Sequence, residues 1–255
     1  MSKKISIIAI AICSLAQLSF ANEIDDIKWV SQKENSPYSF VDEKGNNSGI
    51  AMDLLAAILK KLDSKTTINQ VEFDVSSRSS KMAKTTKNTA YLPYTRKASR
   101  EKEYKWVSPL IEYKAVLIAK KSRHIKINSP KDLSEYSIGV KINSITHKYL
   151  KSLGQEDSKI FTTPINQYNI EKLIHDRVDM VSCPDLAGFD LIKSLGANRN
   201  DYEVVYVFES NSYGIAFNKD TSDEIITKVQ KTLDDMKVSH DGQISEYDMI
   251  VKKYS

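Results

Sequence analysis

Apolar positions along the chain alternate between two periods, and that alternation predicts the elements. Ile27-Lys28-Trp29-Val30 reads as a strand, and Tyr38-Ser39-Phe40-Val41 as a second short extended piece beyond the loop Asn35-Ser36-Pro37. Glu43 to Asn47 is a turn, after which Ile50, Leu54, Leu55, Ile58 and Leu62 recur at helical spacing and predict an amphipathic helix to about Leu62. Val71 to Val75 alternates as a strand. The strand-helix-strand rhythm implies parallel strands with helices packed on them.

A second series follows Pro109. Ala115-Val116-Leu117-Ile118-Ala119 predicts a strongly apolar strand, Ser129-Pro130-Lys131-Asp132-Leu133 a helix start, and Ser137 to Val140 a buried strand. A helix over Ile145–Leu153 ends at Gly154. Then come a strand at Lys159–Phe161, a helix over Ile165–His175, a strand at Val178–Val181 and a helix from about Asp185 to Leu195. Val204–Phe208 and Tyr213–Phe217 read as two further strands, before helices over Ser222–Met236 and Gln243–Lys253. No internal repeat or long linker interrupts the series. Two α/β lobes of about 100 residues each fit the usual domain size, although spacing alone does not separate two lobes from one.

The N-terminus stands apart from this pattern. Lys3-Lys4 precede the apolar run Ile5–Ile12, and Ser19 and Ala21 sit at the −3 and −1 positions of a cut before Asn22, which predicts a secretory signal peptide over residues 1–21 and a mature chain outside the cytoplasm. That run is too short for a bilayer core of about 30 Å, and no later segment is longer, which argues against a membrane enzyme or transporter. Removing Lys3 and Lys4 lowers the formal charge from +4 to +2, so the basic pI overstates the charge of the mature chain. Both signs are interspersed and no basic cluster with interleaved aromatics marks a nucleic-acid face. Cys13 leaves with the signal, so Cys183 remains as a single thiol and stability must come from a core.

Several chemistries lack their residues. There is no Gly-x-Gly pair for a phosphate-cradling loop, and His124, His147, His175 and His240 show no metal-ligand spacing, so no cofactor and no metal are expected. Ser182-Cys183 lies outside any Gly-x-Ser-x-Gly elbow, and a lone Cys after an apolar strand reads as a small core residue. The stretch Thr95 to Pro109 holds Arg96, Arg100, Tyr104 and Trp106; on residue chemistry alone its charges make a solvated turn.

Five blocks taken together resemble the amino-acid-type extracytoplasmic solute-binding proteins of ABC importers, from about Ile27 to the C-terminus. They are Ser36 to Phe40 with Gly49 to Leu54; Arg100 to Pro109; Ser129 to Leu133 with Ile138-Gly139-Val140; Arg177-Val178-Asp179; and Tyr213 to Ala216 with the closing helix and Asp241-Gly242. The resemblance implies an α/β, two-lobed periplasmic-binding-protein fold of type II with a ligand cleft between lobes joined by two crossover strands. Lobe 1 would comprise residues 22–117 and 213–255, and lobe 2 residues 118–212, the chain leaving lobe 1 near Val116 to Lys120 and returning near Phe208 to Tyr213.

The same resemblance nominates ligand-binding residues. Arg100 stands where the family forks an arginine onto a ligand α-carboxylate, a role that suits a planar guanidinium. Thr95 stands where a hydroxyl shares that carboxylate, and is equally readable as a turn former. Asn143-Ser144-Ile145 occupies the family's glycine-threonine loop, where backbone N–H groups attract an anion; Ser144 is also readable as a helix N-cap, and the two roles coexist. Asp185 is the candidate partner for a ligand ammonium or, alternatively, an acid opening the next helix. Arg78 and Tyr38 fall in loops that line the cleft in relatives, with surface or core placement as the plainer reading.

The expected function is capture of a small carboxylate-bearing solute, an amino acid, by hinge closure for import through a membrane permease, by a monomer without enzymatic activity. A periplasmic sensor that reports the ligand to a receptor is the alternative. A cyclohexadienyl-dehydratase-like enzyme on the same fold, with Asp185 or Glu209 as general acid, is a more distant one.

Overall fold

The computed structural model describes residues 23–33 and 35–254, so the predicted signal peptide and its cleavage site lie outside the described residues. The chain divides into two compact units: unit 1 holds the described residues up to Ile111 and from Ser212 onward, and unit 2 runs Glu112–Asn211.

Unit 1 is built on β1 (Lys28–Gln32), β4 (Glu72–Asp74), β5 (Thr89–Thr95) and the second half of β10 (Tyr202–Phe217), in the order β4-β1-β5-β10. β1 is parallel to both β4 and β5, and β10 is antiparallel to β5 with Tyr213 opposite Thr95. The small ribbon β2 (Phe40–Val41) and β3 (Asn47–Ser48) leads into α1 (Ile50–Lys61), whose Ile50, Leu54, Leu55 and Ile58 are buried on the predicted stripe, joined by Leu59 beside it. Gly49 opens α1 at φ 115°, and a Cβ there would lie 2.7 Å from the Tyr38 carbonyl oxygen. That closeness has a use: the Pro37 and Tyr38 carbonyls accept from the N–H groups of Ile50 and Ala51, satisfying donors that a helix start leaves open. α2 (Ser76–Thr85) packs on β1 and β5, whereas α6 (Asp223–Met236) and α7 (Glu246–Lys252) pack with α1.

Unit 2 contains the second half of β6 (Lys105–Lys120), then β7 (Ile138–Lys141), β8 (Ile160–Thr163) and β9 (Met180–Pro184), ordered β6-β9-β7-β8. β6 is antiparallel to β9; β9 and β8 are parallel to β7. Helices α3 (Ile145–Ser152), α4 (Asn166–Ile174) and α5 (Asp185–Ser194) complete it. The continuous apolar run in β6 has a plain cause. Val116 and Ile118 join a core with Ile170, Leu173, Val181 and Ile192, while Leu117 and Ala119 join a different one with Leu133, Ile138, Leu150 and Met180. Successive side chains alternate across the strand, so a sheet covered on both faces needs apolar residues at every position.

Some boundaries differ from the sequence expectation. The region between Val75 and Thr95 holds α2 and β5, which periodicity did not predict: α2 buries only Ser79 and Ala83, and β5 carries Pro93. β6 starts at Lys105 and runs through Ser108-Pro109 rather than beginning near Ala115. The two strands expected at Val204–Phe208 and Tyr213–Phe217 are one continuous strand. β9 begins at Met180 rather than Val178, because Asp179 turns to accept from the Ser137 N–H and hydroxyl at 2.9 and 2.7 Å. α7 starts at Glu246, where the Ser245 hydroxyl accepts from the Asp248 N–H and caps the helix.

Candidate functional site

In unit 1 the candidate residues gather at the carboxyl end of β5, the end at which parallel α/β sheets bind ligands. Tyr91, Leu92 and Pro93 are buried, and the strand then emerges at the half-buried Tyr94 and Thr95. A single helical turn at Ala98–Arg100 folds the chain back so that Arg100 Nη1 donates to the Thr95 carbonyl at 2.7 Å. The guanidinium carbon of Arg100 lies 4.0 Å from the Tyr94 ring centroid, within cation–π range. Tyr94 in turn stacks on Trp106 at 6.0 Å with 16° between planes, and packs against Tyr91 at 4.7 Å and Tyr104 at 5.8 Å.

Burial fixes this aromatic group from below. The Tyr104 hydroxyl donates to the Ser80 carbonyl at 3.0 Å, and the Tyr91 hydroxyl shares a 2.8 Å hydrogen bond with Ser76. Desolvation raises the Tyr91 pKa well above the usual phenol range and pushes that of Tyr104 up to about 12, with the nearby Tyr94 adding to both.

The two arginines of this stretch differ in their partners. Arg96 forks onto Glu101 through Nε and Nη2 at 2.8 and 2.9 Å, which raises the arginine pKa and lowers the glutamate's. Arg100 has no acidic ion-pair partner among the described residues, and its one side-chain hydrogen bond goes to the Thr95 carbonyl. Thr95 sits opposite Tyr213 in the β5–β10 register, and Tyr213 packs at 5.0 Å on Tyr38, which is fully buried. The structure therefore brings Tyr38, Thr95 and Arg100 into one neighbourhood. Arg78 is not part of it. It lies in the first turn of α2 rather than in a loop, 70% exposed, and pairs with Asp74 at 3.1 Å.

In unit 2 the loop after β7 carries Asn143 at φ 59°, a left-handed conformation that asparagine tolerates better than most residues. The Asn143 N–H donates to His147 Nδ1 at 3.1 Å, and the Ser144 hydroxyl accepts from the His147 N–H at 3.1 Å as the N-cap of α3. Ile145, the first residue of that helix, is 38% exposed. Asp185 opens α5 directly after β9; its Oδ1 accepts from the Leu186 N–H at 2.9 Å and from the Lys114 N–H at 3.4 Å. Sequence reading did not single out the hollow of about 140 Å³ lined by Ala115, Ile145, Thr146, Tyr149 and Phe208. Its walls come from three separate elements, so no contiguous motif announces it.

Cys183 is a free, buried thiol in the first unit 2 core, and burial together with the Asp185 charge pushes its pKa up to about 12. Such a thiol is a packing element, not a nucleophile. Among the described residues no cluster of three or more His, Cys, Asp or Glu side chains could hold a metal, and no helix is long and apolar enough to cross a membrane. The Glu209 side chain lies outside the described residues.

Residues 27–255 match the bacterial extracellular solute-binding proteins, family 3. The chain belongs to that family. No curated protein matches it in sequence. Among solved structures, an ancestral arginine-binding protein bound to glutamine is 26% identical with a TM-score of 0.68, over 90% of this chain and 97% of that one. An ancestral amino-acid-binding protein described as a precursor of cyclohexadienyl dehydratase is 22% identical, with a TM-score of 0.68 over 92% and 98% of the two chains. A histidine kinase sensor domain with similarity to periplasmic binding proteins is 18% identical, with a TM-score of 0.70 over 89% and 95%. The family 3 fold is thus the expected α/β arrangement of the type II periplasmic binding proteins.

Proposed function

We propose that this family 3 protein captures a small carboxylate-bearing solute, an amino acid, in the periplasm after cleavage of a signal peptide at Ala21, and hands it to a membrane permease for ABC-type import. Arg100 anchors the ligand α-carboxylate, Thr95 shares that group, Ser144 and Ile145 present backbone N–H groups, and Asp185 takes the α-ammonium. The observation that carries this reading is the half-buried Arg100 guanidinium, held against Tyr94 and lacking an acidic partner among the described residues. A desolvated cation of this kind gains most from an incoming anion, and a planar fork matches a carboxylate. The 26% identical relative carries glutamine, an α-amino acid, which supports the ligand class.

Capture requires no covalent step. A hinge motion in β6 and β10, the strands that carry the chain between units, would convert binding into a signal for the partner, because a ligand shifts an equilibrium by its differential affinity for two states. The monomer is the working form.

The test is a thermal-shift screen of residues 22–255 against amino acids, small carboxylates and amines, with Arg100→Ala beside the wild type. Ligand binding raises the unfolding free energy by RT ln(1 + [L]/Kd), so a shift with α-amino acids that the variant loses supports the reading. Shifts with carboxylate-free amines, or an unchanged response of Arg100→Ala, overturn the anchor. Turnover of a prephenate-like substrate would overturn the non-enzymatic assignment.

A further inference from the structure

We infer that the hollow in unit 2 receives the side chain of the bound solute, and that the ligand is a neutral amino acid with an aliphatic or aromatic side chain up to the size of phenylalanine. The inference rests on the amino-acid reading above and deepens it. Two unit 2 residues proposed for the ligand backbone flank this hollow. Ile145 forms part of its wall directly after the Ser144 cap, and Ala115 forms another part while standing opposite Pro184 in the β6–β9 register, one residue from Asp185. The Lys114 N–H, next to Ala115, donates to Asp185 itself. A ligand ammonium at Asp185 would therefore lie beside the opening.

Size and chemistry select the occupant. The hollow measures about 140 Å³, and an apolar cavity of about 150 Å³ is known to take benzene, so a phenyl or isobutyl group fits and an indole does not. Among the described residues no charged side chain lines it. Its two lining hydroxyls are engaged within the protein: Thr146 Oγ1 accepts from Ser182 Oγ at 2.7 Å, and the Tyr149 hydroxyl is hydrogen-bonded with Tyr206. A guanidinium or ammonium placed there would lose hydration without a counter-charge from the described lining residues, whereas an apolar group has no such hydration to lose. The walls are pre-formed: Tyr149 and Phe208 meet edge to face at 5.6 Å, and Tyr206 braces Phe208 at 5.0 Å.

Calorimetric titration of the chain with L-alanine, L-leucine, L-phenylalanine and L-arginine tests this. Leucine or phenylalanine should bind at least about 10-fold more tightly than alanine and arginine, the discrimination expected for one or more buried methylenes. Ala115→Leu, at a half-buried position that tolerates a larger side chain, should weaken leucine and phenylalanine by about 10-fold or more and alanine by less than about 3-fold, because filling a packed space is selective for what it displaces. Should circular dichroism show that variant unfolded, Ile145→Ser at the exposed rim takes its place, with a loss of about 3-fold or more for leucine and phenylalanine expected from the lost apolar contact. Tightest binding of arginine by the wild type, or unaltered leucine and phenylalanine binding in the folded variant, overturns the inference while leaving amino-acid capture intact. Failure of all four to bind a wild type that another amino acid stabilises in the thermal-shift screen overturns the inference alone, whereas no shift with any amino acid removes the amino-acid reading and the inference with it.

Discussion

Arg100 and Tyr94 form a pair in which the guanidinium carbon sits 4.0 Å from the ring centroid while Nη1 donates to the carbonyl of the residue following Tyr94. The two contacts restrain one face and one nitrogen of the guanidinium, leaving its other N–H groups without a hydrogen bond to the described residues. Arg100→Lys keeps the charge but replaces a fork by a single ammonium, and should weaken amino-acid binding by about 10- to 100-fold, the range of one to two charge-assisted hydrogen bonds. Tyr94→Leu should cost less, about 3- to 10-fold, matching a partly exposed cation–π contact. Calorimetric affinities of the two variants, measured side by side, check the order.

Cys183 and Gly188 set a second expectation. A Cβ at Gly188 would lie 2.3 Å from Cys183 Sγ and 2.5 Å from Ile118 Cδ1 in a buried core. Gly188→Ala should therefore destabilise by about 1–3 kcal/mol, the usual range for overpacking. Combining it with Cys183→Ala removes the sulfur it strikes, so the double variant should be more stable than the sum of the single effects predicts. Urea unfolding of the four proteins measures the coupling.

For Ser144 the cap and the ligand role separate experimentally. Ser144→Ala removes the acceptor for the His147 N–H and should cost about 1 kcal/mol of stability, the typical value for an N-cap. Ser144→Asp preserves the cap and should restore stability, yet it places an anion where a carboxylate is proposed to approach and should weaken amino-acid binding. Unfolding midpoints with and without ligand distinguish the two effects.

Acid should loosen unit 2. The Lys120 ammonium, helped by Arg123, holds Asp176 below its ordinary value of 3.8, and the Asn128 and Ser129 N–H groups do the same for Asp132. A carboxyl whose folded-state pKa is depressed binds its proton more readily when unfolded, so its contribution is fully present above about pH 4 and is lost as pH falls through the folded value. Stability should thus decline below about pH 4, and Asp176→Asn should show a shallower decline. Denaturant midpoints measured between neutral pH and pH 3 provide the check.

Legibility in the sequence followed the source of each element's stability. α1 was readable because Ile50, Leu54, Leu55 and Ile58 place apolar mass on one stripe, and the apolar run in β6 was readable because both faces are buried. α2 was not: its sequence is mostly Ser and Lys, and it is held by tertiary contacts such as Ser79 Oγ donating to the Ser31 carbonyl at 2.8 Å. β5 hid behind Pro93, a residue that ordinarily argues against an interior strand. Of the candidate site, Arg100 was nominated through family resemblance, whereas the Tyr94 ring against which it packs was not singled out. The density of Tyr91, Tyr94, Tyr104 and Trp106 around two arginines was the available clue. The unit 2 hollow left no clue, since Ala115, Tyr149 and Phe208 meet only after three elements have folded.

The division of the chain also dictates an order of folding events. Unit 2 is one continuous segment, Glu112–Asn211, and can close its cores once that segment is available. Unit 1 is interrupted: β5 waits for β10, with Thr95 meeting Tyr213 across the whole of unit 2, and α1 waits for α6 and α7. Pairings of such long sequence separation form slowly because loop closure must precede them. The half of the protein that carries Arg100 is therefore the last to mature, and a chain stalled or clipped before Tyr213 would hold a folded unit 2 while β5 still lacked its β10 partner.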